Sequence, residues 1–276
     1  MAKSHWIIKR SEDESLIASA VKRKGKIFHC SGVQSLHDAG NLAGTISLTI
    51  DSSKASVLIE EFPDVKDDVL QLQIENKINQ LALFNVEENI STAYSVINER
   101  RQKRLLSIIA QPEYLTTEGI QTVSVSGRVQ LENCVSTVAA TACLLQQLGP
   151  DPFIVLLITR LSALLIGVRD GVPLFLQSIP LSGPAEVDSG VASHAIGFGR
   201  QTLQRDFEID SCRLVCLGEG RDSFDFEALD EENWIPDWSH FLSAEGNDIV
   251  LYPGLFGALF VGSRFSFLPV GYKWEG

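Results

Sequence analysis

Three short turns hold the residues of this 276-residue chain that could handle a phosphate group. The first, Ser11-Glu12-Asp13-Glu14, follows Trp6-Ile7-Ile8-Lys9-Arg10. The second, Thr159-Arg160-Leu161-Ser162, joins the apolar runs at 153–158 and 163–168, and the third, Gly218-Glu219-Gly220, ends the run Leu214-Val215-Cys216-Leu217. A phosphate cradle needs backbone N–H groups that approach the oxygens closely, which favours glycine, and a carboxylate to hold Mg²⁺ or its water. The first two turns contain no glycine and the second no carboxylate, so phosphoryl transfer is not expected of them. Asp51, Asp170 and Glu219 are the acids that could substitute. Asp170 precedes Gly171 between two apolar runs and suits a hairpin turn. A lone G-x-G after a strand serves a tight strand-to-loop turn as well as it serves a nucleotide.

Other chemistry has weaker support. His29, His37, His194 and His240 follow no metal spacing, and the sequence contains no nucleophile elbow. Cys30, Cys134, Cys143, Cys212 and Cys216 are odd in number and sit mostly in apolar segments, so reduced, buried thiols are expected rather than disulfides or metal ligands. Trp234 and Trp238 suit packing anchors.

The elements that must position these turns can be read from periodicity. Residues 6–8, 15–21 and 26–31 read as a strand meander, and 45–50 with 56–62 as a second β unit. Pro63 ends that unit, and Asp64 can cap a helix to about Phe84, with Val65, Val69, Leu72, Ile74 and Ile78 at helical spacing. Residues 90–98 and 104–110 form a strand pair, residues 112–113 start a short helix, and 123–125 are extended. Residues 129–148 read as one long apolar helix stopped by Gly149-Pro150. A second meander, 153–179, follows, then a helix at 187–206, a strand at 212–217 and a small helix at 254–262. Each half thus opens on a three-strand meander, as expected of an internally duplicated α/β fold with two lobes.

The net charge of −12 argues against nucleic-acid binding, and no apolar run reaches membrane-spanning length. Lysines and arginines make the N-terminal residues basic, and residues 219–237 are strongly acidic; a solvated face accounts for either. No signal sequence is evident, and a soluble cytoplasmic chain is expected.

The meander at 153–180 resembles the second nucleotide-cradling hairpin of the actin, Hsp70 and sugar-kinase superfamily. Residues 61–79, followed by 84–96, are similar to the proline, acidic helix and strand of PilM-type pilus assembly proteins and of the cytoplasmic domain of the type II secretion L protein, GspL. Leu83 stands where those proteins usually have proline. Residues 214–220 resemble the glycine-rich strand end that supports adenosine in actin-like ATPases. The segment 265–273, Phe-Ser-Phe-Leu-Pro-Val-Gly-Tyr-Lys, resembles the peptide that precedes the membrane helix of the PilN partner, or the corresponding linker in fused L-type proteins; an exposed tail closing a hydrophobic edge is an equal alternative.

The resemblance implies an actin-like (ribonuclease H-like) bilobed α/β fold with an inserted α+β subdomain. The expected first lobe is 1–120 with its insert at about 45–110, the second is 121–264, and 265–276 is a linker, possibly preceding a membrane helix. A non-catalytic scaffold is implied, peripheral to the bacterial inner membrane, with no metal and no cofactor. Its degenerate nucleotide site would lie near Ser11, Thr159, Ser162, Gly218 and Gly220. PilN-like or M-type inner-membrane proteins and an assembly ATPase are the implied partners, with homodimerisation a further expectation. Glu75, Phe84, Tyr94, Phe265, Phe267 and Leu268 are the partner-binding candidates. The competing expectation is an active ATPase or small-molecule kinase of the same superfamily, which alone would need ATP and Mg²⁺.

Overall fold

Residues 153–158, Phe-Ile-Val-Leu-Leu-Ile, are buried without a break, as a strand covered on both faces must be. In the computed structural model, which describes residues 5–11, 14–22, 27–39, 42–51, 53–85, 88–100, 102–124, 127–160, 162–226, 234–262 and 264–268, this run is the inner strand of a four-stranded sheet. The strands of that sheet are β10 (Phe153–Ile158), β11 (Ala163–Arg169), β12 (Val172–Ile179) and β13 (Arg213–Leu217), in the order β12-β11-β10-β13. The β11–β12 turn places Asp170 and Gly171 at φ 53° and 74°, the backbone an Asp-Gly hairpin favours.

A seven-stranded sheet forms the other half. It contains β1 (His5–Arg10), β2 (Ser15–Lys22), β3 (Phe28–Cys30), β4 (Gln34–Ser35), β5 (Leu42–Ile50), β9 (Gly127–Ser136) and β14 (Leu242–Ser243). The two sheets share a local plan: β1 pairs antiparallel with β2 and parallel with β5, just as β10 pairs antiparallel with β11 and parallel with β13. The three-stranded sheet β6-β8-β7 consists of β6 (Ser56–Pro63), β7 (Ile90–Arg100) and β8 (Lys103–Pro112), covered by α1 (Asp67–Leu81). Leu70, Ile74 and Ile78 of α1 pack on Phe62, Leu106 and Ile108 in a core of their own. The remaining helices are α2 (Glu113–Ser124), α3 (Thr137–Gln146), α4 (Ser189–Phe207), α5 (Asp248–Leu251) and α6 (Pro253–Gly257).

Several expectations need correction. Residues 45–50 do not pair with 56–62; they lie in β5, between β1 and β9 in the large sheet. β5, which overlaps the start of the expected insert at about 45, and β9, beyond the expected lobe boundary at 121, therefore belong to one sheet with β1. Residues 129–148 are a strand followed by a helix. Val129 and Leu131 alternate with exposed Gln130 and Glu132, so the first part pairs in parallel with β5. Ser136 then caps α3, its hydroxyl accepting from Val138 N at 3.0 Å. Residues 123–124 are helical, since α2 runs to Ser124. The expected helix at 254–262 is the short α6, which gives way to a 3₁₀ turn at Ala258–Phe260.

Candidate functional site

Two regions gather the candidate residues, one between the two large sheets and one beside the three-stranded sheet. At the first, Ser11 sits at the end of β1, where its N–H donates to Glu14 O at 2.9 Å and its hydroxyl accepts from Glu14 N at 3.3 Å. Glu12 and Asp13 lie outside the described residues. The second turn closes on itself in the same way: Thr159 N donates to Ser162 O at 2.8 Å and Ser162 N to Thr159 Oγ1 at 3.1 Å. Arg160 N donates to Glu219 Oε2 at 3.3 Å, so a side-chain carboxylate occupies an amide of this turn.

Gly218 N donates to Val250 O at 2.8 Å and Gly220 N to Ile158 O at 3.1 Å. At Gly218, φ is 98° and a Cβ would lie 2.2 Å from Ile158 O; at Gly220 one would lie 2.2 Å from Ala185 O. These glycines therefore let backbone pass backbone, the tight-turn reading of the motif.

The acids considered as catalytic substitutes separate. Asp170, 59% exposed beside Arg169, lies at the β11–β12 turn, the opposite end of β11 from residues 159–162. Asp51 is buried, its Oδ2 2.9 Å from Lys9 Nζ, with the two side chains 9% and 6% exposed. Lys9 Nζ also lies 5.9 Å from the centre of the Tyr252 ring. Burial alone would lower the Lys9 pKa, but Asp51, through charge and hydrogen bond, together with Glu219 and Glu14, holds it above the ordinary lysine value. This ion pair was not foreseen. Its signal was a lysine directly after Ile7 and Ile8 in a strand buried on both faces.

The second region is a cleft of about 970 Å³. One wall is five consecutive residues of β7, Thr92 to Val96, and another is residues 264–268. Glu75, Tyr94, Phe265, Phe267 and Leu268, five of the six expected partner-binding residues, line it together. Phe84 lines an adjoining depression of about 570 Å³ that shares Glu75 and Thr92 with the cleft. Gln71 Nε2 donates both to Glu75 Oε1 at 3.0 Å and to Thr92 Oγ1 at 2.6 Å, which ties the glutamate on α1 to β7. Asp67, Asp68 and Glu132 also line the cleft, so it joins apolar surface to acidic groups.

Glu132 owes its place to a β-bulge. The β5–β9 register passes from Ile46↔Leu131 to Ser47↔Asn133, leaving Glu132 without a paired residue. Its Oε2 lies 3.4 Å from His5 Nδ1, and His5 Nε2 is hydrogen-bonded to Ser47 Oγ at 2.9 Å. The order serine, histidine, acid is that of a hydrolytic triad, but Ser47 is 1% exposed and cannot meet a substrate. Burial lowers the His5 pKa, while Glu132 opposes the shift.

None of the five cysteines, all of them among the described residues, forms a disulfide. Burial pushes the thiols of Cys30, Cys134 and Cys216 up to about 12 and that of Cys143 to about 11, values that suppress the reactive thiolate. Trp234 stacks on Phe153 at 5.7 Å, and Trp238 meets Phe241 edge-on at 6.0 Å.

The whole arrangement has counterparts among solved structures. The chain matches one from a PilM–PilN type IV pilus biogenesis complex over 94% of its own length and 97% of the other, with a TM-score of 0.61 and 13% identity. A protein of Bacteroides thetaiotaomicron with an actin-like ATPase fold matches over 94% and 96%, with a TM-score of 0.50 and 11% identity. The chain has the actin-like fold. The same fold relates it to the cytoplasmic domain of EpsL, an inner membrane component of the type II secretion system of Vibrio cholerae: coverage is 98% and 100%, the TM-score 0.55 and identity 11%. The resemblance to PilM and the L protein is thus matched in three dimensions, at identities that establish the actin-like fold and leave function to the residues. Neither a protein-family model nor a curated protein sequence matches the chain. Among the described residues, no helix is long and apolar enough to cross a membrane.

Proposed function

We propose that this chain is a non-catalytic actin-like scaffold of a bacterial type IV pilus assembly or type II secretion inner-membrane platform. It works on the cytoplasmic side of the inner membrane, docking an extended segment of a PilN-like or M-type membrane protein in the cleft beside β7. Contact with the assembly ATPase is part of the same reading, as the resemblance implies. The observation that carries it is where the backbone hydrogen bonds go. At Ser11, Thr159, Arg160, Ser162, Gly218 and Gly220 the amide already donates within the chain, so a nucleotide phosphate would have to displace existing bonds. By contrast, β7 is the terminal strand of its sheet and runs along an open cleft, the setting for strand addition. Asp67, Asp68, Glu75 and Glu132 make that cleft complementary to a basic segment.

The second reading, an ATPase or small-molecule kinase, draws on Asp51 and Glu219, whose charges converge on Lys9. Such an enzyme needs a carboxylate free for Mg²⁺, whereas Asp51 is committed to a buried lysine.

The reading is tested by fluorescence anisotropy with synthetic peptides spanning the cytoplasmic segments of PilN-like and M-type proteins from the same cell. Saturable binding is expected, weakened at least tenfold, or about 1.4 kcal/mol, by Glu75→Lys. Binding that Glu75→Lys leaves unchanged would remove the cleft from the proposal.

A further inference from the structure

One wall of the cleft, residues 264–268, is bonded to the strand edges it lies against. Residues 264–268 follow Gly262, whose φ is 61°, and cross between two sheets. Phe265 N donates to Tyr94 O on β7 at 3.4 Å, and Phe267 N donates to Cys134 O on β9 at 2.7 Å. Ser266 Oγ accepts from Cys134 N and from Leu268 N, at 3.5 and 3.3 Å. Both β7 and β9 are terminal strands of their sheets. The segment therefore bonds to two strand edges that would otherwise offer unpaired groups to a second chain.

The side chains repeat the pattern. Phe265 is 1% exposed in the main core, and Phe267 bridges that core and the one beneath the large sheet. Leu268 packs only on the latter. Phe265 has a φ of 54°, a conformation that costs a non-glycine residue about 1 kcal/mol or more. This segment has no ladder of its own, makes several long hydrogen bonds and contains a strained residue, features of a contact that can be given up.

We infer that residues 264–268 are a displaceable wall of the cleft, and that a docked partner segment replaces them on the edges of β7 and β9. The inference rests on the cleft being a docking site and specifies what it accepts: an extended segment with backbone donors at i and i+2 and apolar side chains at i, i+2 and i+3, the pattern of Phe265, Phe267 and Leu268. Because segment and ligand compete for Tyr94 O and Cys134 O, docking in the cleft releases residues 264–268, and release strengthens docking.

The probe is a fluorescent peptide with the chain's own sequence from 263 to 271, titrated into the full chain and into full-length Phe267→Ala and Ser266→Gly variants. These weaken the segment's packing and its hydroxyl contacts, respectively. At least tenfold tighter binding to either variant than to the unsubstituted chain is expected, with a cooperative melt retained and added hydrogen-exchange protection at Cys134, whose N–H meets the Ser266 hydroxyl. Equal affinity for all three proteins, no binding to any of them, or loss of the cooperative melt in both variants would make the segment a fixed part of the core and overturn the inference. Because the probe is this chain's own sequence, failure of membrane-protein peptides to bind leaves this result standing as a separate outcome.

Discussion

The interlobe turns and the β7 cleft are both built from strand ends, yet they spend their polar groups in opposite ways. Between the lobes, the turn amides are bonded within the chain, and Lys9 and Asp51 neutralise each other out of water. Beside β7, Asp67, Asp68, Glu75 and Glu132 surround apolar surface and the edge of a terminal strand. Turn amides closed off within the chain hold a conformation, whereas an acidic cleft along a strand edge is a setting for a partner. On the proposed function, one fold keeps the architecture of a nucleotide clamp while the three-stranded sheet carries the recognition chemistry.

The sharpest way to break this comparison is to unpair the ion pair. Lys9→Met leaves Asp51 buried without its cation and is expected to cost about 3–5 kcal/mol in denaturant unfolding. Replacing both residues, as Lys9→Met with Asp51→Leu, should recover most of that loss if the pair is structural. A double variant as unstable as the single one would point to another role for Asp51.

A smaller effect is expected from Glu219→Ala, which frees Arg160 N: about 1 kcal/mol, measured in the same way. Smaller still are the pH effects. The raised Lys9 pKa means that the pair's stabilisation is complete below about 10.5 and is lost as pH rises through the higher folded value. The lowered His5 pKa means that its contribution is complete above 6.5 and is lost as pH falls through the folded value. Thermal melts across both ranges should show the acid loss diminish in His5→Gln and the alkaline loss diminish in Lys9→Met. An unchanged profile in either variant would show that the named group does not govern that limb.

Much of the fold was legible because its signals are local. Continuous apolar runs marked β10 and β11, Asp170-Gly171 marked their neighbouring hairpin, and the spacing of Ile74 and Ile78 marked α1. The helix expected at 129–148 fails in its first part because the segment is apolar enough for either element; the partner strand β5, distant in sequence, decides for a strand up to Ser136. Glu75, Tyr94, Phe265, Phe267 and Leu268 could be singled out by their resemblance, although only folding brings α1, β7 and residues 264–268 to one cleft. Glu132 and His5 carried no such mark, since a one-residue bulge put them together. The partners of Lys9 were hidden for the same reason: Asp51 ends another strand, and Glu219 lies in the other lobe.

The most direct measurement is the melting temperature of the intact chain, with and without millimolar Mg·ATP. A ligand that binds only the folded state raises it by mass action, by about 2.7 kcal/mol at a hundredfold excess over Kd. With every interlobe amide named above already bonded, no shift beyond experimental scatter is expected. A rise of several degrees that requires both nucleotide and Mg²⁺ would contradict the account.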